Sequence, residues 1–119
     1  MPTQKDRVIA YGKDRYGATP DHTFAQHPDY AVLRHKDSDK WFALLMTVPR
    51  DKLGLNGDGE IEILDVKCDP DEIGSLRQKP GYLPAYHMNK EHWLTVLLDG
   101  TVPIDDVRER IDASHALTE

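Results

Sequence analysis

The sequence predicts an α+β domain in two layers, a mostly antiparallel sheet of about four or five strands with helices packed on one face. Four runs of β-forming residues are separated by turn-forming residues, and three of them follow one another directly, as in hairpins. Other segments carry apolar residues at helical spacing, with start and stop signals at their ends. The predicted order is α-β-β-β-α-β-α.

The first predicted helix spans residues 4–16, where Val8 and its apolar neighbours form a stripe. Gly12 lowers the stability of that helix because glycine is a poor helix former. Gly17 provides a stop signal, since glycine readily adopts the left-handed conformation that ends many helices. Residues 21–29, with two prolines in or beside them, are predicted to be irregular or a short edge strand.

The first two predicted strands form a hairpin. Residues 30–36 are rich in β-formers and lead into the turn-forming cluster at residues 37–39. Residues 40–48 are nearly continuously apolar, which favours a central strand covered on both faces. Pro49 is expected to end this strand because it has no N–H to donate.

The third predicted strand spans residues 60–68 and follows an exposed loop at residues 50–59, which holds three glycines. Successive side chains of a strand point to opposite faces. The alternation predicts that Leu64, Val66 and Cys68 share one face and that Asp65 and Lys67 share the other.

A second helix is predicted after residue 68. Asp69 is a suitable cap, Pro70 suits the first helical position, and Glu72 stands where a capping box places its acidic residue. Ile73 is expected to face inward with Leu76, and residues 79–81 (Lys-Pro-Gly) end the helix.

The fourth predicted strand spans residues 92–98, and the last helix spans about residues 103–117 after the Asp99-Gly100 turn. Asp105 and Asp106 favour the positive N-terminal end of that helix, which explains this carboxylate pair without catalysis. The apolar positions of the two elements are expected to face the core: Leu94, Val96 and Leu98 in the strand, and Ile104, Val107 and Ile111 in the helix.

Length and charge limit the classes of function. The 119 residues fit one domain, residues 1–119, and no apolar run is long enough to cross a membrane. A single cysteine and no visible signal peptide predict a cytoplasmic protein. The net charge of −6 works against indiscriminate binding to nucleic acid. The charge is uneven, with nine Lys/Arg and seven acids in residues 1–52 but six and fourteen in residues 53–119.

No motif predicts a metal, a cofactor or an active site. His87 and His92 lack the close spacing of zinc ligands, and residues 54–65 resemble a calcium loop only in part, because Gly54 stands where the first carboxylate is needed. Cys68 adjoins Lys67 and a helix start, which would activate a thiol, but its alternation with apolar residues favours a buried structural role. The protein is therefore predicted not to be an enzyme.

The richest polar and aromatic segment is residues 84–93, Pro-Ala-Tyr-His-Met-Asn-Lys-Glu-His-Trp. It lies in a loop that enters a strand, where binding residues are often displayed. Two interpretations remain open. Lys90 and its neighbours could contact phosphates while Tyr86 stacks on a base. Alternatively, Met88 and Trp93 fill the core and Asn89 holds a turn.

Several segments together resemble the MmcQ/YjbR family: Lys40-Trp41-Phe42-Ala43, Val48-Pro49-Arg50, Lys52-Leu53-Gly54-Leu55, Val66-Lys67-Cys68-Asp69-Pro70, residues 84–93 and Leu98-Asp99-Gly100. One departure is His115, where the family pattern has a tyrosine. The resemblance implies a small α+β fold of the frataxin-like or double-wing type and a DNA-binding role assigned by fold analogy. It implies no catalytic residues.

The function hypothesis that follows is a non-catalytic module that binds double-stranded DNA through basic hairpin loops. The candidate nucleic-acid-binding residues are Arg34, Lys36, Lys40, Arg50, Lys52, Lys67, Arg77, Lys79, Tyr86, His87, Asn89 and Lys90. Among them Asn89 is suited to reading adenine. The alternative hypothesis is a protein-interaction or chaperone-like adaptor module, acting on a partner protein or as a homodimer, because an open sheet leaves a face and edge strands available.

Overall fold

The computed structural model describes residues 2–119, and the α+β class predicted from the sequence is confirmed. Its elements are α1 (Gln4–Tyr16), β1 (Ala31–Arg34), β2 (Trp41–Pro49), a 3-10 helix (Arg50–Leu53), β3 (Glu60–Lys67), α2 (Pro70–Leu76), β4 (Tyr82–Pro84), β5 (Trp93–Leu97) and α3 (Ile104–Leu117). The predicted strands and helices are all present, with ends that differ by no more than about two residues, as is usual for element boundaries.

The five strands form one antiparallel sheet in the order β1-β2-β3-β5-β4. This sheet lies within the predicted four or five strands, but the predicted element order lacks β4. That strand has three residues and ends in Pro84, so its sequence carries no alternation to detect. Pairing with β5, such as Tyr82 with Val96, makes it a strand.

The antiparallel order gives the sheet two ends that matter for the site. At the upper end, β1, β3 and β4 finish while β2 and β5 begin. At the lower end, β2 and β5 finish while β1, β3 and β4 begin. Residues that precede or follow a strand are therefore assigned to one end or the other by topology alone.

One face of the sheet is covered by the helices, as predicted. Val8 of α1, Ile73 of α2 and Val107 and Ile111 of α3 are buried in a single core with the strand residues Leu45, Leu64, Leu94 and Val96. Gly12, expected to weaken α1, is buried, and a Cβ there would lie 2.8 Å from Leu33 Cδ1. The glycine thus allows the helix to approach the sheet.

The start of α2 is capped as predicted, although not by a complete capping box. The Asp69 carboxylate accepts a hydrogen bond of 2.9 Å from the Asp71 N–H. The Glu72 carboxylate lies instead 3.9 Å from the Arg110 guanidinium of α3. Cys68 is buried in the helix-side core, as its alternation predicted, and burial raises the pKa of its thiol.

The last helix continues to Leu117 despite the departure from the family pattern at His115. The His115 ring stacks on Tyr16 at a centroid distance of 3.8 Å and lies 4.0 Å from the His35 ring. The His115 imidazole therefore packs as an aromatic ring between α1, α3 and the turn that joins β1 to β2. The buried Ser114 hydroxyl beside it donates to the Phe42 carbonyl and accepts the Lys67 N–H.

We expect Gly81→Ala to destabilise the fold by about 2 kcal/mol or more, because Gly81 has φ +88° and a Cβ there would clash with Val102 Cγ2. Gly74→Ala is the matched control. Gly74 lies in α2, and a Cβ added there would meet no heavy atom within 4 Å, so alanine should stabilise by roughly 0.5–1 kcal/mol. Urea denaturation of both variants measures the difference, and equal effects would contradict this account of Gly81.

Candidate binding groove on the open face of the sheet

The face of the sheet opposite the α-helices carries a second apolar cluster, and we call it the open face. Its buried residues include Val32, Leu44, Met46 and Ile63. Loop residues and the 3-10 helix pack against this cluster, contributing Phe24, Leu53, Leu55, Tyr86 and Met88, together with Leu83 of β4. Short loops cover less area than helices, and they leave part of this face as a depression.

That depression is a groove with a volume of about 600 Å³, within the range of roughly 300–1,000 Å³ usual for ligand sites. Leu44 and Met46 of β2 form its floor. Residues 24–30 form one wall, and residues 86–88 form the other. The lining residues are Phe24, His27, Asp29, Tyr30, Trp41, Leu44, Met46, Thr47, Pro49, Lys52, Glu60, Tyr86, His87 and Met88.

Aromatic rings fix the first wall. Phe24 meets Tyr30 and Trp41 edge to face, with centroid distances of 5.9 and 5.8 Å. His27 stacks on Tyr30 at 4.3 Å. Edge-to-face and stacked pairs at these distances are favourable beyond the area that they bury. The segment that the sequence predicted to be irregular or a short edge strand is thus an ordered wall, joined to β1 by the Asp21–Val32 bridge.

The mouth of the groove is mixed in charge and slightly acidic. Lys52, Asp29 and Glu60 are exposed at its rim, together with His27 and His87. Burial raises the pKa of the Tyr30 hydroxyl, and Tyr86, Asp29 and Glu60 raise it further.

Asp65 is a functional candidate that the sequence reasoning missed. It lies on the open-face side of β3, paired with Leu44 of β2 and Thr95 of β5, and it is fully buried. The Thr95 hydroxyl donates to its Oδ1 at 2.5 Å, whereas its buried Oδ2 has no hydrogen-bond partner among the described residues. Burial raises the pKa of Asp65 to about 7, although the Thr95 hydrogen bond and the Lys90 charge each act to lower it.

A signal for Asp65 was present in the sequence. The alternation correctly placed it, with Lys67, on the face opposite Leu64 and Val66. Ile61 and Ile63 occupy the same face of the same strand, so an apolar covering was detectable. An acid within such a run is a candidate for a shifted pKa.

The upper end of the sheet holds five of the candidate cations: Arg34, Lys36, Lys40, Lys67 and Lys90. Arg34 already has two partners within the protein. Its guanidinium lies 3.2 Å from the Asp21 carboxylate and 5.7 Å from the centroid of the Trp41 ring. Within residues 2–119, the four lysines have no carboxylate within 4.0 Å.

The lower end holds Arg50 and Lys52, which follow β2, and Lys79, which precedes β4. Arg77 caps the C-terminus of α2 between the two ends, nearer to Lys79 along the chain. The fold therefore does not bring the candidate cations together on one surface. It separates the two groups by the length of the strands.

The polar candidates of residues 84–93 have different surroundings. Tyr86 and His87 line the groove, where His87 has an unusual φ of +61°. Asn89 holds a turn, since its Oδ1 accepts the Glu91 N–H at 2.8 Å and its carbonyl accepts the Trp93 N–H at 2.9 Å. Met88 packs on the open-face cluster. The structural interpretation therefore holds for Met88 and Asn89 but not for Trp93, which is half-buried and belongs to neither apolar cluster.

Within residues 2–119, no group of three or more His, Cys, Asp or Glu side chains is placed to hold a metal ion. Over the same range, none of the helices has the length and apolar character needed to span a membrane.

The comparisons with known proteins agree with the fold. The YjbR family model matches residues 14–117. The chain belongs to the YjbR family. It is 42% identical to YyaQ of Bacillus subtilis over the whole length of both chains, and 30% identical to YjbR of Escherichia coli K12 over 75% of this chain and 68% of that protein.

A crystal structure of a similar protein supports the architecture in detail. This protein, from Pseudomonas syringae, is 49% identical, with a TM-score of 0.94 over 97% of this chain and 98% of that one. The two proteins therefore share one fold, while the match to the family model confirms the family resemblance predicted from the sequence.

We expect Asp65→Asn to reduce the pH dependence of stability. Native Asp65 keeps its proton up to about pH 7, whereas the unfolded chain releases it near 3.8. Between these values the folded state binds more protons, so its stabilising contribution is complete below the unfolded pKa and falls as pH rises, by up to about 1.4 kcal/mol per pH unit. Urea denaturation from pH 4 to 8 measures the difference between the two proteins.

The matched control is Asp58→Asn, which removes one exposed carboxylate from the loop before β3. It should leave the shape of the stability curve close to that of the wild type. A wild-type curve parallel to that of Asp65→Asn would show that the pKa of Asp65 is the same in the folded and unfolded states.

Proposed function

We propose that this protein is a non-catalytic recognition domain whose open-face groove receives an apolar segment of a partner protein. The observation that carries the proposal is the composition of the groove, with an apolar and aromatic floor and walls surrounded by a polar, mixed-charge rim. Belonging to the YjbR family is compatible with this function and does not specify it.

The groove has the composition of a protein interface. Interface cores are enriched in aromatic residues and methionine, and their rims are polar and solvent-accessible. Here Tyr86, Met88 and Trp41 are half-buried around the floor, while Asp29 and Lys52 are exposed at the rim. Half-buried large side chains around a concave floor are suited to accept an anchor residue, which is where most binding energy is concentrated.

The edges of the sheet are less suited to a partner. The outer side of β1 is occupied at Val32, whose N–H and C=O both bond to Asp21. At the other edge, β4 has three residues and ends in Pro84, which has no N–H to donate. A partner that adds a strand would find little backbone to pair with, so the groove is the better docking surface.

The non-catalytic part of the proposal rests on the groove chemistry. His27, His87 and Lys52 line the groove, but the hydrogen bonds of the described residues connect none of their side chains to a nucleophile or to an orienting carboxylate. Nucleophilic and acid–base catalysis both depend on such connections. Recognition needs only the shape and the polar rim.

Duplex DNA is a second candidate ligand, favoured by the upper end of the sheet. Lys36, Lys40, Lys67 and Lys90 lie there without an ion-pair partner among the described residues. Against this, acidic Asp37 and Asp39 lie in the same hairpin turn, and Asn89 uses its Oδ1 within its own turn. The lower cations Arg50, Lys52 and Lys79 also lack an ion-pair partner among the described residues, so the upper end is favoured only by its larger number of such cations.

For the groove, we expect peptides selected from a random display library to carry an aromatic or large aliphatic anchor. Met88→Glu should weaken their binding roughly tenfold or more, because a buried charge would face that anchor. Calorimetric titration measures the affinity. Leu117→Glu is the control, since Leu117 is an exposed apolar residue on α3, away from the groove, and it should bind as the wild type does.

Thermal denaturation of both variants shows whether each is folded before binding is compared. Selected peptides that bind Met88→Glu and the wild type equally would place recognition elsewhere and refute the groove proposal.

For DNA, we expect any affinity for a 20-base-pair duplex to depend on the upper lysines. The double variant Lys40→Gln/Lys90→Gln should lower the salt slope of binding by about 2, because each lysine that contacts a phosphate contributes about one released counterion. Lys52→Gln/Lys79→Gln makes the same change in charge at the lower end and should have little effect. Binding that is undetectable at low salt would rule out this candidate.

A further inference from the structure

We propose that Asp65 is a proton-controlled latch on the second wall of the groove. Its ionised form, which accepts the Thr95 hydrogen bond more strongly than the neutral form does, holds residues 86–90 in place, and protonation loosens them. The effect on partner binding rests on the proposed function, whereas the movement of the wall does not.

A continuous chain of hydrogen bonds joins Asp65 to the wall. The Thr95 hydroxyl donates to Asp65 Oδ1 at 2.5 Å, and the same oxygen of Thr95 accepts the Tyr86 backbone N–H at 2.9 Å. Tyr86 lines the groove two residues before Met88, which also lines it. A change at the carboxyl therefore reaches the groove through a single side chain.

The second carboxyl oxygen of Asp65 makes this chain of hydrogen bonds sensitive to the charge of the carboxyl. Oδ2 is buried and has no partner among residues 2–119. A neutral carboxyl leaves a modest penalty at this position, but a carboxylate there lacks the donors that it would have in water. The ionised form therefore depends on the Thr95 hydroxyl, the donor that the described residues give it, more than the neutral form does.

The charges around Asp65 are few. β2 presents Leu44 opposite it, and β5 presents Thr95. Along β3 the same face carries Ile63 on one side and Lys67 on the other, and the Lys67 residue is half-buried. From the loop, Lys90 is the cation whose charge acts on Asp65. Its attraction to the ionised carboxyl helps to hold the segment that carries Tyr86 and Met88.

That segment is held in a conformation that it can leave. His87 has φ +61°, in the left-handed region that residues other than glycine rarely occupy. Surrounding contacts must maintain such a conformation, and the Tyr86–Thr95 hydrogen bond next to it is one of them. A weakened latch therefore has a strained backbone beside it that gains from relaxing.

NMR titration of the full chain between pH 5.5 and 8.5 tests the latch directly. We expect the Tyr86 amide and Met88 methyl signals to shift with the midpoint of the Asp65 carboxyl carbon. Asp65→Asn should abolish both shifts. In Thr95→Val the carboxyl should still titrate without affecting Tyr86, and Thr95→Ser, which keeps the hydroxyl, should restore the coupling.

Histidine titration in the same pH range requires a control. His87→Asn removes the imidazole but introduces asparagine, which also tolerates the left-handed conformation. The Tyr86 and Met88 shifts should persist in this variant. Their loss in His87→Asn, or their persistence in Asp65→Asn, would overturn the latch. If Thr95→Val does not fold, Asp65→Asn and His87→Asn still decide.

Binding of a display-selected peptide separates the latch from the proposed function. Below the Asp65 midpoint, the wild type should bind at most roughly tenfold more weakly for each unit by which the pH falls, because one proton is linked to binding. Asp65→Asn should bind with little pH dependence. Coupled NMR shifts without any peptide binding would support the latch and count against the proposed function. Peptide binding with uncoupled NMR shifts would support the proposed function and count against the latch.

Discussion

The one-sided placement of the helices is the constraint on which the rest of this structure depends. An antiparallel sheet has two faces to cover, and α1, α2 and α3 all pack on the same one. Loops and a 3-10 helix cover the other face, through Phe24, Leu53, Tyr86 and Met88. Because loops fill space less completely than helices, the open face keeps a groove with an apolar floor.

The buried carboxyl of Asp65 follows from the same arrangement. In a one-sided sheet, the open face of a central strand is usually solvated, and a carboxylate there would be ordinary. In this protein Asp65 is fully buried, and the loop that carries Tyr86 lies close to it, because Thr95 bonds both the Asp65 carboxyl and the Tyr86 N–H. The groove and the shifted carboxyl are thus two results of covering that face with a loop.

The uneven distribution of charge along the sequence does not produce a basic surface in the folded protein. Residues 1–52 hold an excess of basic residues, but strand direction sends Lys36 and Lys40 to the upper end and Arg50 and Lys52 to the lower one. An excess along the sequence is therefore not a basic surface. This is why the groove, rather than a phosphate-binding face, is the stronger basis for function.

The sequence by itself determined the elements and the core, because capping residues such as Asp69 and the alternation of Leu64 and Val66 are local signals. It also determined the family, through motifs that need no coordinates. Only the tertiary structure decided the existence of β4, the groove and the burial of Asp65. Each of these depends on which distant segment covers which face: β4 needs β5 as a partner, and Asp65 needs Thr95 and the loop at residues 86–90. Such long-range choices leave no periodicity in the chain.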